Sequence, residues 1–569
     1  MRILFSATHF GFLRNFQSTI RVLAGQGHEL HLVAERSDAI DGQKMADILA
    51  AEHPSLTFDR VPTSRHRLWY ALGHGLRASQ DYWRYLDPRW EHSPKLRQRA
   101  AEQAPAVARA IARVPLLGTP AGLRVLRRLF RVFDRALPTP PEVNEIFERV
   151  KPDVFMLTPL LYFGSHQVDQ VRCARRLGIR VVLGVGSWDH LTTKGLIHEI
   201  PDRVLVWNEA QRQEAIELHG VPADQVVVTG SQAYDHWFST KPALDRAAFC
   251  RQVGLDPERP MLLYLCSSPF IAPYEVGFVR SWIAAIRNAG DERLRNASLL
   301  VRPHPQNAKQ WEKVELDREF EHVALWPKTG VNPIGGVARS DYFDSMYHSE
   351  AVIGVNTSGM IESGIIGKPV YSVLTSEFAS TQEGTLHFQH LTSVEGGLLH
   401  LASNLDEHIS QLARLLADGR DERQSARQFI QAFVRPYGLD EPATPRVAAE
   451  VEQLAALQRL APQRTPLSAL MLRTVLAPAA FVATVVTMER AKLRAIVLRW
   501  IRPVRLIVRA IITRAIYAAR FVRRLPGRIV RLILMAIRRL LVAPARWMVH
   551  QAKMRLHALL VWRKGDEIP

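Results

Sequence analysis

The strongest chemical pattern is the segment NTSGMIESGIIGKPV, residues 356–370, which follows the apolar run AVIGV. A Thr-Ser-Gly turn between a parallel strand and a helix leaves backbone N–H groups free, and together with the helix dipole they suit a pyrophosphate. We therefore predict that Thr357, Ser358 and Gly359 bind phosphate. Glu362, one turn into the helix, is positioned to accept hydrogen bonds from ribose hydroxyls. The same pattern would also serve packing alone, with glycine allowing a tight contact.

A second motif, Arg302-Pro303-His304-Pro305, follows the apolar run SLLV. Two prolines restrict the backbone at a strand end, so we expect Arg302 and His304 to be presented rigidly at the rim of a cleft. Arginine suits phosphate because its planar group carries several donors, and histidine can donate to a phosphate or to a leaving group. The alternative is a capped loop with an incidental histidine.

The elements that would position these motifs alternate between apolar strands and helix-like segments, which is typical of a parallel α/β fold. The first set of predicted strands covers residues 2–6, 30–34, 154–158, 180–185, 204–207 and 226–230. The second set covers residues 261–266, 298–302, 351–355 and 369–374. We therefore predict an α/β fold class with two Rossmann-like domains, 1–240 and 241–461, facing across a cleft. Ligands bind outside the carboxyl ends of parallel strands, so this cleft is the expected site.

Two regions interrupt this alternation. Residues 65–140 are rich in Arg and Trp, have apolar residues at helical intervals, and are predicted to form a helical insertion. Residues 462–569 are divided by prolines and are predicted to form a basic amphipathic helical extension. The chain has a formal net charge of +19, and residues 461–569 contain 22 Lys and Arg against three acidic residues. The rest of the chain is therefore neutral.

The extension, residues 462–569, could bind nucleic acid, a helical protein partner or an anionic membrane. Apolar residues are interleaved with its arginines, whereas arms that bind nucleic acid are polar, so a membrane surface is favoured and no nucleic acid is expected. The longest charge-free run, residues 474–488, has 15 residues and contains Pro478. This is shorter than the ~20 residues of a spanning helix, so we predict a helix that lies on the membrane.

The motif RPHP and the later stretch DYFDSMYHSEAVIGVNTSGMIESGIIGKPV resemble the donor half of GT-B glycosyltransferases of bacterial surface-polysaccharide synthesis, including capsule transferases and CDP-glycerol glycerophosphotransferases. The stretch DRVLVWNEAQRQEAIELHGVPADQVVVTGSQAYD resembles the inter-domain connection of GT-B proteins. The resemblance covers about residues 2–461. It implies a nucleoside-diphosphate sugar donor bound mainly by the second domain, with Arg302 and His304 near its phosphates. Ser358, Gly359 and Glu362 would lie near phosphate and ribose.

In such an enzyme the first domain would bind a glycan or lipid-linked acceptor and supply a base for the proton of the acceptor hydroxyl. His9, in SATHFGFLRNF, follows the first predicted strand. Asp189 and His190, in GVGSWDHLTTKG, follow another. Each of the three is a candidate catalytic base, and each could equally be a structural cap.

The chain contains no Asp-x-Asp pair, which argues against the metal-chelating type of glycosyltransferase. We therefore predict a transfer without metal ligands or cofactor, in which Arg302, His304 and the helix N-terminus stabilise the departing diphosphate. The three cysteines lack disulfide or zinc spacing, and the N-terminal segment lacks a signal-peptide pattern. The expected location is cytoplasmic, peripheral on the inner face of the cell membrane.

Three functions remain open from the sequence. Glycosyl transfer to a surface-polysaccharide or lipid-linked acceptor is favoured. A second possibility is transfer of glycerol phosphate or epimerisation of a nucleotide sugar, because such enzymes share the fold. The third is a catalytically silent GT-B scaffold on the membrane, which would bind no nucleotide.

Overall fold

The computed structural model describes residues 1–36, 42–61, 68–333, 336–418 and 422–487. Met1–Thr484 form one compact unit, and Val485–Pro569 form a second, of which residues 485–487 are described. Most of the predicted membrane extension, from residue 488 onward, lies outside the described residues.

The first of two parallel sheets has seven strands in the order β3-β2-β1-β4-β5-β6-β7. The strands are β1 (Arg2–Ala7), β2 (Glu29–Ala34), β3 (Leu56–Arg60), β4 (Val154–Thr158), β5 (Arg180–Gly184), β6 (Arg203–Val206) and β7 (Val226–Val228). Central strands such as β4 are buried along their whole length. This explains their continuous apolar sequences, since a parallel sheet is covered by helices on both faces.

Ten α-helices occur among the described residues of the first 240 positions. They are α1 (Gln17–Gly25), α2 (Gly42–Glu52), α3 (Tyr70–Arg84), α4 (Pro94–Gln103), α5 (Ala106–Ile111), α6 (Pro120–Ala136), α7 (Pro141–Val150), α8 (Gln167–Arg176), α9 (His190–Thr193) and α10 (Glu209–His219). Helices α3 to α6 lie between β3 and α7 and form the predicted insertion.

A buried ion-pair cluster attaches the insertion to the first domain. The Arg77 guanidinium of α3 lies 2.9 Å from Asp134 of α6 and 2.5 Å from Asp169 of α8. Arg172 of α8 lies 2.6 Å from the same Asp134 carboxylate. Removing one partner from a buried ion pair typically costs about 3–5 kcal/mol, so the insertion is an integral part of the domain.

The second sheet has six parallel strands in the order β10-β9-β8-β11-β12-β13. They are β8 (Met261–Leu265), β9 (Ser298–Arg302), β10 (Val323–Leu325), β11 (Ala351–Gly354), β12 (Val370–Val373) and β13 (Leu399–Ala402). The helices are α11 (Arg246–Val253), α12 (Val276–Arg287), α13 (Glu292–Arg295), α14 (Leu316–Glu319), α15 (Gly336–Tyr347), α16 (Gly359–Ile365), α17 (Leu386–Ser393), α18 (Leu405–Asp418) and α19 (Glu422–Phe433). The predicted α/β fold with two Rossmann-like domains is confirmed, and β3, β10 and β13 are strands that the sequence patterns do not predict.

After α19 the chain returns to the first domain as α20 (Ala443–Ala456). Val447, Val451 and Leu454 of this helix are buried in the core of the first sheet, beside α1. The turn before it is fixed by Asp235, whose carboxylate accepts the Thr444 N–H at 2.7 Å. The sequence-based range 241–461 groups this helix with the second domain, but its apolar face completes the core of the first.

The last described helix, α21 (Leu467–Thr487), has 21 residues and a mean hydropathy of 1.9 in its most apolar 18-residue window. By length and composition it could cross a membrane, whereas the sequence-based argument considered a shorter segment, and the helix lying on the membrane stays a prediction. That argument counted only charge-free residues, whereas α21 includes the charged Arg473. The Nε of Arg473 donates to the Ala136 carbonyl at 2.6 Å. One face of α21 is therefore attached to the insertion.

Candidate functional site

Loops at the carboxyl ends of the two sheets meet. The rings of Trp188, after β5, and His387, in α17, lie 4.8 Å apart in an edge-to-face contact. The exposed Arg14, after β1, acts electrostatically on His304 and Glu362 of the second domain. We call this region the interdomain site, and its main residues are His9, Arg14, Asp189, His190, Lys194, His304, Thr357, Ser358, Gly359, Glu362 and His387.

The turn before α16 has the predicted form. Ser358 is exposed, Thr357 is half-buried and Gly359 is buried. A Cβ at Gly359 would lie 2.6 Å from Leu265 Cδ1 and 2.7 Å from the Tyr342 hydroxyl oxygen, so a larger residue would displace one or both of these side-chain ends. The packing role of Gly359 is therefore observed, and phosphate binding by the three residues stays a prediction.

Glu362 lies below this turn with one defined partner. Its Oε2 accepts a hydrogen bond from the Tyr342 hydroxyl at 2.7 Å. Burial raises the pKa of Glu362 to about 7, against the opposing effects of Tyr342 and of the Arg14 charge. The carboxyl therefore changes its protonation near neutral pH and accepts hydrogen bonds best above that pH.

Arg302 lies deeper than the sequence predicts. Its side chain is 5% exposed, and Nη1 lies 2.8 Å from both Asp341 Oδ2 and Ser345 Oγ. The guanidinium also lies 5.1 Å from the centre of the Tyr342 ring. The expected position at the rim is not observed, because a carboxylate in α15 holds the guanidinium in the core of the domain.

His304 is half-buried at the end of β9. Its Nδ1 accepts the backbone N–H of Gln306 at 3.2 Å, so the neutral ring carries its proton on Nε2. Burial, assisted by the Arg14 charge, lowers the pKa of His304 to about 4. The imidazole is therefore neutral at pH 7 and offers an N–H donor, and its contact with phosphate stays a prediction.

Two of the candidate bases contact the same aromatic ring. The Phe12 ring centre lies 4.4 Å from that of His9 and 5.8 Å from that of His190. Burial lowers the pKa of His190 to about 4, although the Asp189 carboxylate opposes this shift. His190 Nδ1 is buried and has no hydrogen-bond partner among the described residues. His190 is thus a neutral but weakly basic imidazole.

Asp189, the third candidate base, is held as a carboxylate. Its oxygens accept hydrogen bonds from Ser187 Oγ at 2.6 Å and Thr193 Oγ1 at 2.8 Å. Burial would raise its pKa, but the surrounding charges, led by Lys194, hold the pKa well below its ordinary value. A carboxylate with such a low pKa is a poor proton acceptor at pH 7, since the ideal base has a pKa near the working pH.

Three residues of the interdomain site are not selected by sequence reasoning. Arg14 and Lys194 belong to the segments that contain His9 and Asp189. Nothing in the sequence distinguishes these two cations from the other Lys and Arg residues of the chain. His387 lies between the domains and is 3% exposed to solvent. Burial lowers the pKa of its imidazole to about 4. A histidine outside any recognisable motif gives no sequence signal of this placement.

The helical insertion positions the loop that carries Asp189. Arg84 of α3 donates to the carbonyls of Leu191 at 2.5 Å and Gly195 at 2.8 Å. The Tyr85 hydroxyl donates to the Lys194 carbonyl at 2.6 Å. The neighbouring Asp81 carboxylate accepts the N–H of Leu196, just after this loop, at 2.7 Å and that of Gly164, after β4, at 2.8 Å. The geometry of one half of the site thus depends on helices far away in sequence.

Within the described ranges no group of three or more His, Cys, Asp or Glu side chains is arranged to hold a metal ion. The prediction of a metal-independent reaction remains a prediction. The three cysteines, Cys173, Cys250 and Cys266, are buried and not in disulfides.

No protein-family model and no curated protein matches the chain. Solved structures match over most of its length. The UDP-GlcNAc 2-epimerase of Methanocaldococcus jannaschii is 12% identical with a TM-score of 0.46, covering 80% of this chain and 100% of its own. A glycosyltransferase of Rickettsia africae is 9% identical with a TM-score of 0.46, covering 80% and 99%. WaaG, a glycosyltransferase involved in lipopolysaccharide biosynthesis, is 11% identical with a TM-score of 0.41, covering 79% and 99%. These likenesses concern the fold alone.

Proposed function

We propose that the chain is a metal-independent glycosyltransferase that moves a sugar from a nucleoside-diphosphate sugar to a glycan or lipid-linked acceptor. The observation that carries this proposal is the convergence of two complementary sets of groups at the interdomain site. The second domain contributes an exposed Ser358 turn, a neutral N–H donor at His304 and an acceptor at Glu362. The first domain contributes the cations Arg14 and Lys194 beside three candidate proton acceptors.

In this proposal the diphosphate lies against the 357–359 turn, and the ribose hydroxyls donate to Glu362. Arg302 is already neutralised by Asp341, so we assign the cation that faces the diphosphate to Arg14. A charge-assisted contact of this kind is among the stronger hydrogen bonds in proteins. The Nε2–H of the neutral His304 donates a hydrogen bond to the departing diphosphate and replaces part of the stabilisation that a metal ion would give.

We assign the catalytic base to His9. Asp189 holds its proton too weakly, because the pKa of its carboxyl is well below the ordinary value. The pKa of His190 is lowered to about 4, which also makes this ring a weak base. In the proposed reaction Asp189 and Lys194 form a pair of opposite charges that keeps the net charge of the loop constant. His9 takes the proton of the acceptor hydroxyl.

We further propose that the chain attaches to the anionic inner face of the cell membrane through residues 462–569. The described part of this extension, α21, has Leu476, Ala480 and Thr484 buried against the rest of the chain. A spanning helix would be surrounded by lipid, so a helix covered on one side by residues of the first domain favours attachment at the surface.

The test of the donor site is a thermal-shift screen of the full chain in detergent, without metal, against UDP, GDP, CDP, CMP and ADP. Arg14→Ala is compared with Arg21→Ala, a matched variant of an exposed arginine that pairs with Glu52 at 2.7 Å outside the site. We expect one nucleotide to stabilise the wild type and Arg21→Ala. Arg14→Ala should bind it about 10- to 100-fold more weakly, the loss expected for one charged hydrogen bond.

The competing functions give different results in the same experiment and in product analysis. A folded wild type that no nucleotide stabilises contradicts the proposal and favours the silent scaffold. Nucleotide binding with conversion of a sugar nucleotide in the absence of acceptor indicates an epimerase. Release of CMP on transfer from CDP-glycerol indicates a glycerophosphotransferase.

A further inference from the structure

A cavity of about 520 Å³ lies in the first domain between α3, α8 and the start of α7. Its walls are mainly carbon atoms and include Trp69, Gly73, Leu137 and Val143. The volume is within the range of about 300–1,000 Å³ that is typical of small-molecule sites. None of the proposed donor residues lines this cavity.

The carboxyl and guanidinium groups in its wall do not give the cavity a net charge. Burial raises the pKa of Glu35 to about 8, so this carboxyl is mostly neutral at pH 7. Arg77 and Asp169, which also line the cavity, neutralise each other at 2.5 Å. Gln170 Nε2 donates to Glu35 Oε1 at 2.9 Å, whereas Gln170 Oε1 is buried without a hydrogen-bond partner among the described residues. The cavity therefore suits an apolar chain that ends near one uncharged polar group.

The polar wall of the cavity adjoins the interdomain site. The Glu35 N–H donates to the Thr8 carbonyl at 3.2 Å, and His9 is the next residue. The following Arg36 places its guanidinium 4.7 Å from the centre of the Tyr162 ring. Glu35, in the polar wall of the cavity, is therefore hydrogen-bonded to the residue that precedes the proposed base.

The apolar wall adjoins a different part of the molecule. Leu137 packs in one cluster with Leu472 and Leu476 of α21, and Trp69 packs against the same cluster. Phe130 of α6 also contacts this cluster. The apolar wall of the cavity is therefore shared with α6 and α21, which both expose several large apolar side chains.

Helices α6 and α21 expose apolar side chains on the outside. On α6 these are Val125 (64% exposed), Leu129 (43%) and Val132 (56%), spaced so that they share one face. On α21 they include Leu467, Met471 and Val475. Exposed arginines accompany those of α6, namely Arg124, Arg128, Arg131 and Arg135. An apolar face bordered by cations is complementary to an anionic lipid surface.

We infer that this cavity binds the hydrocarbon chain of an anionic membrane amphiphile and directs its head group to His9 as the sugar acceptor. The acceptor role rests on the proposed function, whereas binding of the chain does not. The apolar face of α6 and α21 brings the chain from the membrane to the cavity. The neutral Glu35 and Gln170 contact the first polar atoms of the amphiphile.

The probe is hexadecyl phosphate with a diazirine near the end of its chain, added to the full protein on phosphatidylglycerol vesicles and photolysed. Mass spectrometry should locate the adduct in peptides that contain Trp69, Leu137 or Val143. Gly73→Leu puts a side chain toward Leu137, whose Cδ1 is 3.3 Å from a Cβ built at Gly73. This variant should lower labelling about tenfold, the effect of excluding two methylenes.

Gly75→Leu is the matched control, since it makes the same change in α3 where a Cβ meets only Pro105 Cγ at 3.7 Å. It should be labelled like the wild type. Val143→Trp fills the cavity from the opposite wall and replaces Gly73→Leu if near-UV circular dichroism shows that variant to be unfolded. Adducts confined to α6 and α21, unchanged by either filling variant, would overturn the inference.

The nucleotide screen separates this inference from the proposed function. Cavity labelling in a protein that no nucleotide stabilises leaves the chain-binding site intact and refutes the glycosyl transfer. Nucleotide binding without cavity labelling leaves the donor site intact and refutes the cavity as the acceptor site.

Discussion

The two sheet edges that form the interdomain site are held in different ways. At the first edge, the loop with Asp189 is tied by Arg84 and Tyr85, side chains that come from an insertion more than a hundred residues away. At the second edge, the turn at Ser358 is exposed and follows directly from its own strand and helix. The first edge is positioned by long-range contacts, and the second by local sequence.

The two edges also differ in how their ionisable groups respond to pH. Asp189 and His190 have pKa values far from 7, so their charges stay constant over the physiological range. Glu362 has a pKa of about 7, so its charge responds to pH. This comparison indicates that the charges around the proposed proton transfer stay constant at the first edge. At the second edge, the charge that faces the nucleotide changes with pH.

Replacing the proposed base should give the largest effect. His9→Ala should lower kcat about 10²- to 10⁴-fold, the usual contribution of a general base, without changing nucleotide-dependent stabilisation. His53→Ala, which changes a histidine at the end of α2, is the control. If His9→Ala lost nucleotide binding together with activity, proton transfer and nucleotide binding could not be assigned to separate edges.

Loosening the first edge should give the next largest effect. Arg84→Ala leaves the buried carbonyls of Leu191 and Gly195 without their donor, at about 1–3 kcal/mol for each group. Thermal unfolding should shift down and turnover should fall, while nucleotide affinity persists. Arg89→Ala, in an exposed pair with Asp87, should change stability by less than about 0.5 kcal/mol. Equal effects of the two variants would contradict the positioning role of α3.

The second edge should respond to pH. Because the pKa of Glu362 is about 7, its carboxylate is present above that pH and is protonated below it. Ionised carboxylates accept hydrogen bonds from ribose more strongly, so nucleotide affinity should rise from pH 6 to pH 8, by at most about tenfold per unit. Titration calorimetry measures the slope, and Glu362→Gln should abolish it. An unchanged slope in this variant would assign the titration to another group.

The smallest effect tests the partner of Glu362. Tyr342→Phe removes the hydroxyl that donates at 2.7 Å, so nucleotide affinity at pH 7 should fall about fivefold, equivalent to about 1 kcal/mol. The midpoint of the pH dependence should move upward, since that hydrogen bond favours the carboxylate. Tyr437→Phe, whose hydroxyl contacts the Val228 carbonyl, is the control. A downward shift of the midpoint would contradict the observed hydrogen bond.

The sequence predicts the central strands and the edge strand β7 but misses the other three strands at the sheet edges. Strands β3, β10 and β13 each lie at the edge of a sheet and contain five residues or fewer. An edge strand has a neighbour on one side only, so polar residues such as those of LTFDR are tolerated and the apolar run is broken. The ten predicted strands are those with continuous apolar sequence.

The candidate site is predictable where its contacts are local. Thr357, Ser358 and Glu362 lie within one turn and its helix, so their grouping is visible in the sequence. The partner of Arg302 is Asp341, 39 residues later in helix α15, and no local pattern indicates this pairing. Positioning by α3 is equally invisible, because Arg84 and Leu191 are 107 residues apart.

The return of α20 to the first sheet has a consequence for how the protein is made. Val447, Val451 and Leu454 complete the core that begins with β1, so this core needs residues from both ends of the compact unit. Most of the second domain's core lies between residues 234 and 434. During synthesis we therefore expect the second domain to finish folding first. The first domain can complete its core only after α20, which follows the second domain in the chain, has been translated.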